Sequence, residues 1–188
     1  MMRLTLDTSC VIHRAQGQAF AEPFNELVDL APEGLIGLWL TSASQDDQSR
    51  ASSVHRQTNA DWLRSRTVLG EVPGPFRLDH SKIGGEDVVL DDRTAEVGEV
   101  IERIVLSAGL GRGSLDINDR VQMARWRKRV TDVEHLIAHA MAGHDLFVTT
   151  DSEDILRKWE ARRLEAGIEV AHPDVALLRV RASAGQPG

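Results

Sequence analysis

The sequence predicts an α/β fold built on a parallel sheet, and three observations predict it. First, Val133, Leu136, Ile137, Ala140 and Met141 recur at three- and four-residue spacings, one face of an amphipathic helix, and Gly143 closes that helix. Second, residues 146–149 follow at once as a short strand rich in β-formers, so a helix returns into a strand, which is half of a parallel α/β unit. Third, Leu4 and Leu6 mark another strand at the N-terminus, and both strands run into an aspartate, Asp7 and Asp151. Ligands of parallel sheets gather in the crevice at the carboxyl ends of the strands, so the two acids are expected to meet there.

Taken in order, residues 3–7 read as the first strand, and a helix weakened by Gly17 is expected over 11–20. Pro23 suits a first helical turn. Phe24, Leu27, Val28 and Ala31 then form an apolar stripe that Pro32 and Gly34 stop. Residues 35–40 are apolar throughout, as a strand buried on both faces should be. Residues 41–66 read as polar and mostly helical, with Asp46 and Asp47 in the first turns. Six glycines and prolines make 70–87 an irregular loop. A helix is expected over 92–108 and another over 116–130, the latter carrying Arg120, Arg125, Arg127, Lys128 and Arg129 around Trp126. Asp132 is expected to open the next helix as its N-cap, where a carboxylate satisfies free N–H groups and suits the helix dipole. After Asp154 a charged helix runs to about Ala166, Gly167 turns the chain, and 168–171 form a last strand before Pro173. One domain is expected over 1–181, with an inserted or extended region at about 48–115 and a disordered tail at 182–188.

Composition narrows the function. A chain of 188 residues, 41% hydrophobic and 27% charged, suits a soluble globular domain. No apolar run approaches the ~20 residues that cross a bilayer, and strand-like sequence begins too early for a signal peptide. The single Cys10 forms no intrachain disulfide, which fits the cytoplasm. A net charge of −7 excludes a surface coated in basic residues but leaves room for a local basic strip.

The chemistry rests on the carboxylates. Acids from separate strand and helix ends repel one another unless a proton or a cation intervenes. Mg²⁺ or Mn²⁺ prefers such hard oxygen ligands. Asp7, Asp132 and Asp151 are the expected ligands, and Asp154 is either a further one or a cap on the helix after it. Thr8, Ser9, Thr149 and Thr150 are placed to orient water or phosphate. The basic run Arg125, Arg127, Lys128 and Arg129 is expected to track phosphates, with Trp126 stacking on bases. Glu134 is expected at the surface, because residues two apart on a helix do not share a face. His135 and His139 stand four apart, but the flanking glutamate is misplaced for a zinc protease, so one is expected to pack and the other to be exposed. No Gly-x-Ser-x-Gly elbow supports a serine hydrolase.

LTLDTS at the N-terminus, together with TDVEHLIAHAMAGHDLFVTTDSEDIL, resembles the PIN-domain nucleases. That resemblance covers somewhat over half the chain. It implies a three-layer α/β/α sandwich with a mostly parallel central sheet. It also implies a four-acid catalytic site: Asp7, then Asp46 or Asp47, then Asp132 and Asp151. The family usually has a glutamate at the second position; here two aspartates stand near it, and helical geometry turns only one toward the site, with Asp47 preferred. The activity implied is divalent-metal-dependent hydrolysis of RNA, in some members as the toxin held by an antitoxin protein. RNA and an antitoxin are thus the expected partners, and a homodimer with a second copy of the chain is left open. The alternative is a PIN-like module that binds RNA or protein without cutting. A haloacid-dehalogenase-type phosphotransferase would need an aspartate two positions after Asp7, where Ser9 stands.

Overall fold

The computed structural model describes residues 1–44, 57, 61–62, 70–75, 89–106, 116 and 118–184. Their strands are β1 (Met2–Leu6), β2 (Ile36–Thr41), β3 (Gly70–Val72), β4 (Leu146–Val148) and β5 (Val170–Ala171). They form one sheet in the order β3-β2-β1-β4-β5, and every pairing is parallel. The helices are α1 (Thr8–Ala15), α2 (Ala21–Asp29), α3 (Asp92–Val105), α4 (Arg120–Ala142), α5 (Arg157–Ala166) and α6 (Pro173–Ala184), with a π-helical turn, Ser152–Leu156, leading into α5. The fold is the expected three-layer α/β/α sandwich.

Strand alternation builds the two outer layers. Leu4, Leu6, Leu146 and Val148 face α1, α2 and α6, in a core with Phe24, Leu27, Leu177 and Val180. Phe147 faces the other way, into a core with Ile101, Ile104, Leu136, Ile137 and Trp159 from α3, α4 and α5. Burying each such side chain contributes about 1.5–3 kcal/mol. Thr5 points to the α4 side as well, which explains a polar residue with no exposure in the middle of β1.

The structure departs from the sequence expectations at several elements. The helix expected over 116–130 and the one expected to begin at Asp132 are one 23-residue helix, α4, which starts at Arg120. Its N-cap is Asp119, whose carboxylate accepts from the N–H groups of Val121 and Gln122. Asp132 is therefore interior to the helix and caps nothing. Gly143 does end α4, at φ +59°, a left-handed conformation that glycine adopts without penalty. The expected loop at 70–87 begins with an edge strand, β3, paired to β2 through Trp39↔Gly70 and Thr41↔Val72. The region at 48–115 thus supplies β3 and α3, and α3 packs along α4. Helix α6 continues through Ala184, three residues into the expected tail. Among the described residues, no helix is long and apolar enough to cross a membrane.

Candidate metal centre

The strand order reverses between β1 and β4, the switch point at which parallel sheets bind ligands. Leu6 lies opposite Val148, and the N–H of Asp7 donates to the Val148 carbonyl at 2.9 Å. That register sets Asp7 beside Thr149 and brings residues 149–154 over the end of β1. Helix α4 crosses the same end and delivers Asp132.

Asp132, Asp151 and Asp154 each offer a carboxylate oxygen, and the three oxygens lie within 4.8 Å of one another. Asp132 is buried, and among the described residues its Oδ2 has no hydrogen-bond partner. Burial, then the nearby Asp7 charge, pushes its pKa from 3.8 to about 7, against the pull of Lys128 and His135. Asp151 caps the π-helical turn by accepting from the Asp154 N–H at 2.7 Å. Its backbone is held in turn by Thr149, whose hydroxyl accepts the Asp151 N–H at 3.0 Å. The trio is an acidic cluster of the kind that holds a metal ion, and the unpartnered buried Asp132 oxygen suits a cation rather than a packing role.

Cationic side chains surround it. The Lys128 ammonium donates to Asp151 Oδ2 at 2.9 Å and Asp154 Oδ2 at 3.1 Å. Arg129 and Lys158 stand 3.5 Å and 3.6 Å from Asp154 Oδ1. Burial works against the Lys128 charge, yet the bonds to Asp151 and Asp154 and the charge of Asp132 outweigh it and hold its pKa above the ordinary value. For Asp154 burial raises the pKa, and the Lys128 hydrogen bond with the neighbouring cations overcomes it, so the carboxyl titrates below its usual range.

Asp7 lies next to this trio rather than within it. Its Oδ2 accepts from the Ser9 hydroxyl at 2.6 Å and the Thr149 hydroxyl at 2.5 Å, and its Oδ1 is 4.0 Å from His135 Nε2. The Thr150 hydroxyl donates to Ser9 Oγ at 2.9 Å and meets His13 Nδ1 at 2.9 Å. Ser9, Thr149 and Thr150 therefore fix the Asp7 carboxylate, where the sequence had them orienting water or phosphate. Thr8 is buried. Asp46 and Asp47, the candidates for the second acid, fall outside the described residues.

Three side chains differ from expectation: Trp126, Glu134 and one of the two histidines. Trp126 is buried, with 8% exposure, so its ring is not available to stack on bases. Glu134, expected at the surface, is buried as well. His135 and His139 both have no exposure. His135 Nδ1 bonds the Thr41 hydroxyl, and His139 Nδ1 meets Thr5 Oγ1 at 2.9 Å, so α4 is pinned to β2 and β1 through polar contacts. Burial, with His144 adding to it, lowers the His139 pKa to about 3, and the ring is neutral. Asp132, His135 and His139 stand at i, i+3 and i+7, which puts them on one helix face. That spacing was the signal for the burial of both histidines. Arg125, Arg127 and Lys128 are exposed, and Arg125 stands seven residues before Asp132 on the same face.

No protein-family model matches the chain, and no curated protein matches it.

Proposed function

We propose that the chain is a divalent-metal-dependent endoribonuclease, as its resemblance to the PIN-domain nucleases implies. The observation that carries this reading is the carboxylate trio at the switch point of the sheet, with a buried oxygen of Asp132 left without a partner. An all-oxygen donor set selects Mg²⁺ or Mn²⁺ over softer metals. Asp132, Asp151 and Asp154 are the residues that hold the ion, and Asp7 adds negative charge beside them. When bound, the ion supplies Lewis-acid activation of water and of the phosphodiester. The protein's own part is positioning. Thr149 and Ser9 lock Asp7, the turn at Ser152–Leu156 fixes Asp151 against Asp154, and α4 carries Asp132 on a rigid element. The exposed Arg125, on the Asp132 face of the first half of α4, suits a phosphate backbone. RNA as the substrate and an antitoxin as a protein partner follow from the resemblance.

The test is cleavage of a single-stranded RNA. Wild-type protein is expected to cut in Mn²⁺ and not in EDTA. Asp151→Asn is expected to slow cutting by about a hundredfold or more, a loss of several kcal/mol of transition-state stabilisation. One observation favours a second reading, a PIN-like module that binds without cutting: Lys128 already neutralises two of the three acids. RNA binding that survives in EDTA, with no cleavage in Mn²⁺, supports that module and contradicts the nuclease.

A further inference from the structure

We propose that Lys128 is a tethered cation that competes with the divalent ion for Asp151 and Asp154, so that metal binding expels its ammonium from the trio. This rests on the metal-centre reading above and adds a regulatory element to that same site.

Lys128 and Asp132 are four residues apart on α4, a spacing that brings side chains together on one face. The ammonium bonds two of the three carboxylates whose oxygens converge, at 2.9 Å and 3.1 Å. An ion such as Mg²⁺ needs its oxygens at about 2.1 Å and would stand close beside that ammonium. Two cations crowded against the same carboxylates repel, so each weakens the hold of the other.

Lys128 is also free to move. Three cations touch Asp154, and they differ in how they are held. The Lys128 side chain is 53% exposed, against 23% for Arg129 and 19% for Lys158. Lys158 is further tied by donating to the Val105 carbonyl at 2.9 Å. Lys128 alone of these three is both exposed and on a flexible four-carbon stem, so it can swing into solvent without disturbing the core. Arg129 and Lys158 then keep Asp154 oriented. Once expelled, the Lys128 ammonium lies on the helix face that carries Arg125 three residues earlier, where a substrate phosphate can take the place of the lost carboxylates.

Mn²⁺ titration calorimetry on wild-type protein, Lys128→Met and Lys128→Arg tests this. Circular dichroism confirms folding, and Lys128→Gln repeats the measurement with a different side-chain shape. Removing the charge is expected to tighten Mn²⁺ binding by about tenfold, the scale of losing two partly screened ion pairs. Lys128→Arg keeps a cation against the carboxylates and is expected to bind Mn²⁺ more weakly than Lys128→Met. Mn²⁺ binding by wild type that is unchanged or weakened in Lys128→Met and Lys128→Gln overturns the proposal and leaves the metal centre standing. No Mn²⁺ binding by any of the proteins overturns the metal centre, and the competition with it.

Discussion

Asp132→Asn is expected to stabilise the metal-free protein at alkaline pH while weakening Mn²⁺ binding at the acidic trio. The asparagine keeps the shape and removes a buried charge that faces Asp7. The sign follows from linkage. The folded pKa of Asp132, about 7, lies above the ordinary 3.8, so the folded state holds a proton that the unfolded chain releases. Stability from that proton is full below about pH 4 and is lost as the pH rises to 7 and beyond. A shift of about three units corresponds to roughly 4 kcal/mol across that window. Between pH 5 and pH 8 in EDTA, the wild type is expected to lose about 2 kcal/mol or more relative to Asp132→Asn. Urea denaturation at both pH values measures it; parallel profiles for the two proteins contradict it. Mn²⁺ is expected to stabilise the wild type at pH 8, because binding to the folded state alone shifts the equilibrium. The variant should gain little. A residue that costs stability until a cation arrives is what a binding site, rather than a structural ion pair, requires.

Trp159→Ala is expected to destabilise the fold by about 3–5 kcal/mol. Trp159 is the largest of the fully buried side chains and sits in the core formed by α3, α4 and α5. Its indole N–H donates to the Ile168 carbonyl at 3.2 Å, which ties α5 to the chain entering β5. Truncation leaves a cavity and orphans that carbonyl. For a domain of this size the melting temperature should fall by roughly 10 °C. Thermal melts followed by circular dichroism check it, and a fall of a degree or two would place Trp159 outside the packing that holds α5. Lys158 and Ile155 share this helical stretch with Trp159, so the turn that presents Asp151 and Asp154 depends on the same core.

Parts of this site were legible in the sequence for a simple reason. Apolar strands ending in aspartate reveal both the sheet and what stands at its edge: Asp7 and Asp151 follow β1 and β4, although Asp7 stands beside the trio rather than in it. Lys128 was legible only as one of a phosphate-tracking run, not as the partner of Asp151 and Asp154. Its link to Asp132 is a four-residue helical spacing, and that spacing disappears when a helix start is read at Asp132. The misreading has a physical source. The first half of α4 has exposed residues at most positions, with Trp126 buried among them, so it lacks the apolar stripe that would have joined it to the second half. Aspartate after threonine also imitates a cap. The three residues of β3, with an exposed Gly70 and Glu71, carry too short a pattern to distinguish an edge strand from a loop.

The most direct test of the central claim is a crystal grown in Mn²⁺ and measured for anomalous scattering. The account predicts a peak within bonding distance of carboxylate oxygens of Asp132, Asp151 and Asp154, with the Lys128 ammonium moved away from Asp151 and Asp154. A well-ordered site with no peak among these three carboxylates, in Mn²⁺ at millimolar concentration, would contradict it.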